Sequence, residues 1–374
     1  MNNRKPILLY IMNIDYFLVS HRLPIALAAQ DAGYEVHIAA KTTNYGDMIR
    51  SYGITTHSLD IDRTNISLIS LFKTFISIKN VIKKLRPSIV HFVSIKPVIL
   101  GGISTHLMRE KPAIVSSISG LGYIFVSEGL KANFRRYLVS ILYRIALYHK
   151  KIVVIFQNNN DLSKVKRMSG ISSKDVQLIA GSGVDLNKFS ITDFPKGVPI
   201  VLFPARLVIS KGIHEFVNAA KLLKGSARFV ISGQLDYESA DSITLSLLEE
   251  WTKERLVEYW GFSNDMSETI GKSSIVALPS YREGLPKVLC EAAACGRPIV
   301  TTNVPGCRDA ILSEETGILV PVKDSILLAK AIKKLIVETE LAYEMGKKGR
   351  LLAESKFDIK QVTNIHLDIY NKMS

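Results

Sequence analysis

The sequence predicts two successive α/β domains, each built on a doubly wound parallel sheet, and three observations lead there. The chain has 374 residues, more than one hydrophobic core usually organises. Twice along its length, short apolar runs alternate with longer segments of helical period. Between the two series lies GSGVDLNKFSITDFPKGVP, from Gly181, whose Gly, Pro, Asp, Asn and Ser favour turns and linkers.

The first series opens with the apolar run ILLYIM and a helical segment from Leu23 to Ala32. EVHIAA, a helix from Ser67 to Leu85, SIVHFV, a helix from Val98 to Met108, AIVSSI, a helix from Leu130 to His149, KIVVIF and the run Val176 to Ala180 follow. Strand, crossover helix, strand is the order of a parallel sheet. The second series runs through PIVLFPAR, a helix from Gly212 to Leu223, ARFVISG, a helix around Ser239 to Lys253, VEYWGF, SIVALPS, a helix after Pro286 and RPIVTTN. It ends in helices near Ser325 to Val337 and Leu341 to Glu354. We assign residues 1–185 to the first domain and 186–355 to the second. Residues 356–374 are expected to form a C-terminal helix packing back toward the first. Open parallel sheets bind ligands beyond the carboxyl ends of their strands, so the loops there are where chemistry is sought.

With 47% hydrophobic and 22% charged residues and no low-complexity tract, the chain reads as folded throughout. Cys290, Cys295 and Cys307 are sparse, odd in number and without metal-ligand spacing, which fits buried thiols in a reducing compartment. The apolar run Ile7 to Met12 is short and gives way to polar residues, the pattern of a first strand and not of a signal peptide. No window reaches about 18 uninterrupted apolar residues, so no spanning helix is expected and the protein is expected in the cytoplasm. A formal charge of +14 calls for an anionic partner: nucleic acid, anionic lipid or a phosphorylated substrate. No nucleic-acid recognition motif accompanies the charge.

The segment SIVALPSYREGLPKVLCEAAACGRPIV joins an apolar strand, a polar loop and a helix-forming run, with Pro286 at a natural first helical position. Amide groups at that helix start face an anion, while Glu283 on the loop and Glu291 on the helix offer carboxylates to vicinal hydroxyls. Together they suit a sugar linked to a diphosphate, although two glutamates alone would more readily be a solvated surface pair. In the loop PARLVISKG, Arg206 and Lys211 stand just before a helix, where a diphosphate leaving group would meet two fixed cations. A solvated basic loop is the plainer alternative.

The string from Arg282 to Val300, REGLPKVLCEAAACGRPIV, closely resembles the signature of glycosyltransferase family 4, retaining enzymes of the GT-B fold. That resemblance implies two Rossmann-like doubly wound domains facing across a cleft. It implies that Glu283 contacts the transferred sugar and Glu291 the ribose, with Gly284, Leu285 and Pro286 in the donor-binding loop. Arg206 and Lys211 match the family's pair for the donor pyrophosphate. Ser182, in GSGVDLNKF, stands where the family usually has Asn. GLGYIF from Gly120 and SHRLP around His21 resemble a subgroup acting on polyprenyl-diphosphate-linked sugars in bacterial surface-polysaccharide assembly. The activity implied is transfer of a hexose or N-acetylhexosamine, from a UDP-sugar, to an undecaprenyl-diphosphate-linked saccharide in O-antigen, capsule or related glycan biosynthesis. Glu283 then positions sugar and is not a nucleophile, and no cofactor or metal is required.

The first domain is expected to hold the acceptor. His21, Lys96, Ser119 and Gly120 are the candidates, with Gly122 and His91 nearby in the same strand-end loops. The loop NIDYFLVSHR lacks the Gly-Gly pair common in the family, which puts phosphate cradling there in question. Asp60-Ile61-Asp62 matches a metal-holding DxD pattern, but a two-residue match in a turn-rich stretch reads as a solvated loop. LKANFRRYLVSILYRIALYHKK, from Leu130, carries an apolar stripe with basic flanks. Its apolar side is expected to be core, and its excess charge to dock on an anionic membrane, peripherally at the inner face of the cytoplasmic membrane. An epimerase or hydrolase on the same fold, or a non-catalytic scaffold subunit, are the rival readings.

Overall fold

In the computed structural model, residues 5–62, 65, 67–121 and 129–374 are described, apart from the side chains of 130–133. Gly122 lies outside them. The chain forms two units: residues up to Ser182 together with Lys360–Ser374, and Gly183–Ile359 between them.

The first unit's sheet contains β1 (Ile7–Ile14), β2 (Glu35–Lys41), β3 (Thr55–Ser58), β4 (Ile89–Val93), β5 (Ala113–Ile118), β6 (Ile152–Phe156) and β7 (Val176–Leu178). They lie in the order β3-β2-β1-β4-β5-β6-β7, every pair parallel. Helices cover both faces, so central strands such as IVHFV and AIVSSI are buried along their whole length and read as continuous apolar runs without alternation. One core layer gathers Leu8, Tyr10, Leu18, Ile25 and Val36. The opposite layer gathers Leu9, Ile11, Ile78, Val90 and Phe92.

Three of the helices are α1 (Tyr16–His21), α2 (Leu23–Asp31) and α3 (Gly46–Ser51). Beyond them come α4 (Leu68–Leu85), α5 (Ile95–Thr105), α6 (Leu130–Ala146) and α7 (Asn159–Ser169). The sequence reading omitted β3, α1, α3 and α7, and took NIDYFLVSHR, which carries α1, as a loop. β3 is the edge strand TTHS, with no fully buried residue to mark it. α7 is polar over most of its surface, and what starts it is local: Asn158 Oδ1 accepts from the Asp161 amide at 2.8 Å.

α6 corrects an expectation. Its apolar stripe is not core: Phe134, Leu138, Ile141, Ile145 and, just beyond the helix, Tyr148 are exposed, at helical spacing, with Tyr137 and Leu142 beside them. The helix instead buries Tyr143 and Ala146. It does so against α5, where a side chain on Gly102 would meet the Ala146 carbonyl at 2.4 Å. Glycine there lets the two helices close on a narrow contact, leaving the wider apolar face outside.

The second unit repeats the plan with β8 (Ile200–Pro204), β9 (Arg228–Ser232), β10 (Glu258–Gly261), β11 (Ile275–Leu278), β12 (Ile299–Thr302) and β13 (Gly317–Val320). Their order is β10-β9-β8-β11-β12-β13, again parallel. Its helices are α8 (Ile213–Leu222), α9 (Leu245–Lys253), α10 (Met266–Gly271), α11 (Lys287–Ala294), α12 (Ser325–Val337) and α13 (Thr339–Lys356). The last helix, α14 (Ile359–Met373), belongs to the first unit from Lys360 onward. There Tyr370 Oη meets Tyr10 Oη at 2.8 Å and His91 Nδ1 at 2.7 Å. No helix among the described residues is long and apolar enough to cross a membrane.

Candidate functional site

In each sheet the strand order reverses once, between β1 and β4 in the first unit and between β8 and β11 in the second. The crevice at such a reversal is where open parallel sheets bind ligands, because consecutive crossovers leave to opposite faces. In the second unit the loops leaving that point are residues 205–212 after β8 and 279–286 after β11, the two loops singled out in the sequence.

These loops touch through their backbones. The Tyr281 amide donates to the Ser210 carbonyl at 2.9 Å. Gly212 has φ +76, and a Cβ on it would lie 2.1 Å from the Pro279 carbonyl oxygen, so this approach demands glycine on two counts. The contact brings Lys211 to Glu283, 72 residues away in sequence. Lys211 Nζ donates to Glu283 Oε1, and Ser280 Oγ donates to the same oxygen at 2.7 Å. The two side chains are 21% and 12% exposed, so neither charge is fully hydrated and each depends on the other.

Arg206 opens the same loop but pairs elsewhere, its Nη1 donating to Asp236 Oδ2. That side chain is about half exposed. Glu291 is buried on α11, 3.1 Å from Lys287 Nζ one turn earlier. α11 begins at Lys287, and Pro286 occupies the capping position before it with ψ 114, one residue earlier than expected. Leu285 is buried. Gly284 is held from behind by the next loop: a Cβ on Gly306, φ +83, would lie 2.5 Å from the Gly284 carbonyl and 2.7 Å from that of Glu283. Beside them the Cys307 thiol is pushed up to about 12 by burial and, secondarily, by the Glu283 charge. It stays a neutral thiol. All three cysteines are free and buried.

In the first unit, His21 ends α1 after β1, Lys96 lies in the first turn of α5 after β4, and Ser119 and Gly120 follow β5. β1, β4 and β5 are adjacent, so all four candidates lie along one edge of the sheet. His21 Nδ1 is 2.6 Å from Ser20 Oγ. Lys96 Nζ donates to the Asp62 carbonyl and, at 2.9 Å, to the Asn65 carbonyl. Its pKa is lowered by burial, with Asp62 opposing. Ser119 is exposed and Gly120 half-buried, with φ +138. His91 is fully buried, its ring bonded to Tyr370 and, at 2.7 Å, to Ser117 Oγ. Burial first, and the Arg22 charge second, hold its pKa well below the usual value. As placed, it ties β4 to β5 and α14 and does not face solvent. Asp60 and Asp62 are exposed on their loop. Among the described residues, no group of three or more His, Cys, Asp or Glu could hold a metal ion.

Sequence reasoning missed several residues at these two points. Asp236 carries no motif. Ser94, directly after β4, has φ 81 and ψ 161, a conformation that residues other than glycine adopt only under constraint. Glu215, in the first turn of α8, and Tyr281 join that helix to the 279–286 loop through a 2.8 Å hydrogen bond. Tyr281 stands one residue before the string that begins at Arg282, and nothing in the spacing points to its partner.

Two doubly wound parallel-sheet units, each with one strand-order reversal, have the architecture of the GT-B glycosyltransferases. The family follows from two matches: residues 7–158 fit the model for glycosyl transferase 4-like domains, and residues 185–352 the model for glycosyl transferases group 1. The chain belongs to that family. It is 26% identical over 369 residues to the N,N'-diacetylbacillosaminyl-diphospho-undecaprenol alpha-1,3-N-acetylgalactosaminyltransferase of Campylobacter jejuni, covering 94% of this chain and 95% of that one. It is also 26% identical over 328 residues to the UDP-Gal:alpha-D-GlcNAc-diphosphoundecaprenol alpha-1,3-galactosyltransferase of Escherichia coli, covering 83% and 81%. Among solved structures, sucrose-phosphate synthase from Thermosynechococcus elongatus superposes with a TM-score of 0.82 at 20% identity, over 99% of both chains. Anabaena HepE in complex with UDP-glucose does so with a TM-score of 0.79 at 16% identity, over 98% of this chain and 99% of that one. At those identities the likeness is one of fold.

Proposed function

We propose that this glycosyltransferase moves a hexose or N-acetylhexosamine, with retention of anomeric configuration, from a UDP-sugar to an undecaprenyl-diphosphate-linked saccharide. The product would enter O-antigen, capsule or related glycan assembly. The meeting of Lys211 and Glu283 at the second unit's strand-order reversal carries the reading, because it sets a cation for the leaving diphosphate against an acceptor for sugar hydroxyls. Arg206, Lys211 and the start of α11 stabilise charge as it develops on the diphosphate. Glu283 orients the sugar and Glu291 takes the ribose hydroxyls, with Gly284, Leu285 and Pro286 shaping the loop. In the structure these groups are paired with opposite charges, Lys211 with Glu283, Arg206 with Asp236 and Glu291 with Lys287. Donor binding exchanges those partners for phosphate oxygens and hydroxyls. The leaving diphosphate takes the acceptor proton, and no step is assigned to a metal.

The acceptor is assigned to the edge carrying His21, Lys96, Ser119 and Gly120. Both relatives named above are described as acting on diphospho-undecaprenol-linked sugars and forming α-linkages; an α-linked product from an α-linked donor is retention. The exposed stripe of α6, flanked by Arg135, Arg136 and Arg144, favours docking on an anionic membrane, where the basic residues meet headgroups and the apolar ones enter the interface.

The test is a screen of radiolabelled nucleotide sugars against a polyprenyl-diphosphate sugar. A lengthened lipid-linked glycan with the α-anomer at the new bond is expected. Nucleotide binding without transfer from any donor would favour a scaffold, and a β-linked product from a UDP-α-sugar would overturn retention. Flotation with vesicles rich in phosphatidylglycerol tests docking: binding at low salt that weakens at high salt is expected, and no binding at low salt would refute it.

A further inference from the structure

We infer that Glu215 and Tyr281 are positioning residues for sugar transfer: their hydrogen bond fixes the loop bearing Glu283 in register with Lys211. The inference rests on the donor-site reading above. Glu215 lies in the first turn of α8, four residues after Lys211, and Tyr281 lies two residues before Glu283. The chain turns at Gly212, φ +76, between Lys211 and the start of α8 at Ile213, which places both Lys211 and Glu215 beside the loop that carries Tyr281 and Glu283. The two pairs are rungs across one seam, and the Tyr281 amide to Ser210 carbonyl bond is a third.

The rung is built from groups that would not otherwise be buried together. Glu215 is 8% exposed. Its Oε1 accepts from Tyr281 Oη at 2.8 Å, while Oε2 is buried with no hydrogen-bond partner among the described residues. A carboxylate held with half its hydrogen-bonding capacity unmet costs stability, so apolar packing would serve a purely structural contact better. What the carboxylate supplies is a directional tie to one phenol. The Tyr281 hydroxyl is accordingly pushed upward, by burial first and by Glu215 second, and stays protonated as the donor. Lys323 Nζ lies 5.3 Å from the centroid of the Tyr281 ring, on its face, and further fixes the ring. Along the seam, the Thr302 hydroxyl donates to the Ser280 carbonyl, so Ser280 and Tyr281, adjacent residues ahead of Glu283, are each held by a side chain from outside the loop.

The experiment compares Glu215→Leu, Tyr281→Phe and Glu215→Gln with wild type, in the full chain. Leu and Phe remove the bond at similar volume; Gln keeps an oxygen that accepts from Tyr281. Loss of register on the scale of an ångström lowers turnover up to about 100-fold. We expect kcat to fall at least tenfold in Glu215→Leu and Tyr281→Phe, with KM for the nucleotide sugar within about twofold, and to recover in Glu215→Gln. A second readout needs no turnover: acetylation of Lys211 by a lysine reagent, followed by mass spectrometry, should quicken severalfold in the Leu and Phe variants and not in the Gln variant. Wild-type labelling of Lys211 in both deletions overturns the inference, as does a matched loss of kcat and rise of KM that simply tracks a lowered Tm. A wild-type protein that transfers no sugar would instead refute the assigned reaction, leaving the labelling to decide the positioning role.

Discussion

Replacing Gly212 by alanine strikes the proposed donor site at a close backbone contact between its two loops. The new Cβ would sit 2.1 Å from the Pro279 carbonyl oxygen, where contacts under 3.0 Å are essentially never seen. The two loops must therefore part by about 0.9 Å, and the carbonyl is backbone that no rotamer change can move aside. A misplacement of that size at the Lys211–Glu283 pair predicts a fall in kcat of about 100-fold. The left-handed φ of +76 adds about 1–2 kcal/mol of strain for any residue with a side chain, and with the displacement we expect about 2–3 kcal/mol in all. For a unit of this size that lowers Tm by about 5–10 °C. Gly197→Ala separates the two contributions, since Gly197 has φ +97 and nothing within 4 Å of its Cβ position. It should lose some Tm and keep its kcat. Steady-state transfer kinetics and thermal melts of the two variants decide the matter: wild-type kcat in folded Gly212→Ala would refute the claim that backbone contact between the loops sets the catalytic geometry.

Three further outcomes follow from other parts of the molecule. Lys211→Ala should lower kcat by about 100- to 1,000-fold, the range for losing one donor to a developing anion; wild-type turnover would remove its leaving-group role. Arg22 is 2% exposed, with Nε and Nη1 lacking partners among the described residues, so Arg22→Met should raise Tm by a few degrees, because a buried charge without a counter-ion opposes folding. A lowered Tm in calorimetry would show that the guanidinium is compensated. His366, pushed down to about 3 by burial and then by the Arg22 charge, is neutral when folded but protonates near 6.5 when unfolded. Stability should therefore fall as pH drops from about 6.5 toward 3, and His366→Leu should flatten that slope in thermal melts across the range; an unchanged slope would assign it to other groups.

The parallel sheets were legible because helices cover both faces and leave central strands as unbroken apolar runs. Elements escaped where that signal was absent: β3 is a half-exposed edge, and α7 is a polar helix defined by its Asn158 cap. α6 shows a different limit. Periodicity revealed its stripe, but which side of a stripe is covered depends on neighbours in space. Gly102, 28 residues before the helix, helps decide it by admitting the Ala146 backbone, while Phe134, Leu138, Ile141, Ile145 and Tyr148 stay outside.

The proposed donor site divides along the same line. Glu283 and Lys211 were readable as residue types, one in a recognised string and the other in a basic loop before a helix. Their contact was not, since 72 residues separate them and no spacing rule joins them. It follows from strand order: β8 and β11 are neighbours at the reversal, so the loops leaving them must share a crevice. Glu215 looked like an ordinary acid in a helix's first turn, where the helix dipole favours it, and Tyr281 like one aromatic among many. Only the seam between the loops gives them a common purpose. In this fold, then, a residue's chemistry can be nominated from the chain, but its partner is set by which strands the crossovers make adjacent.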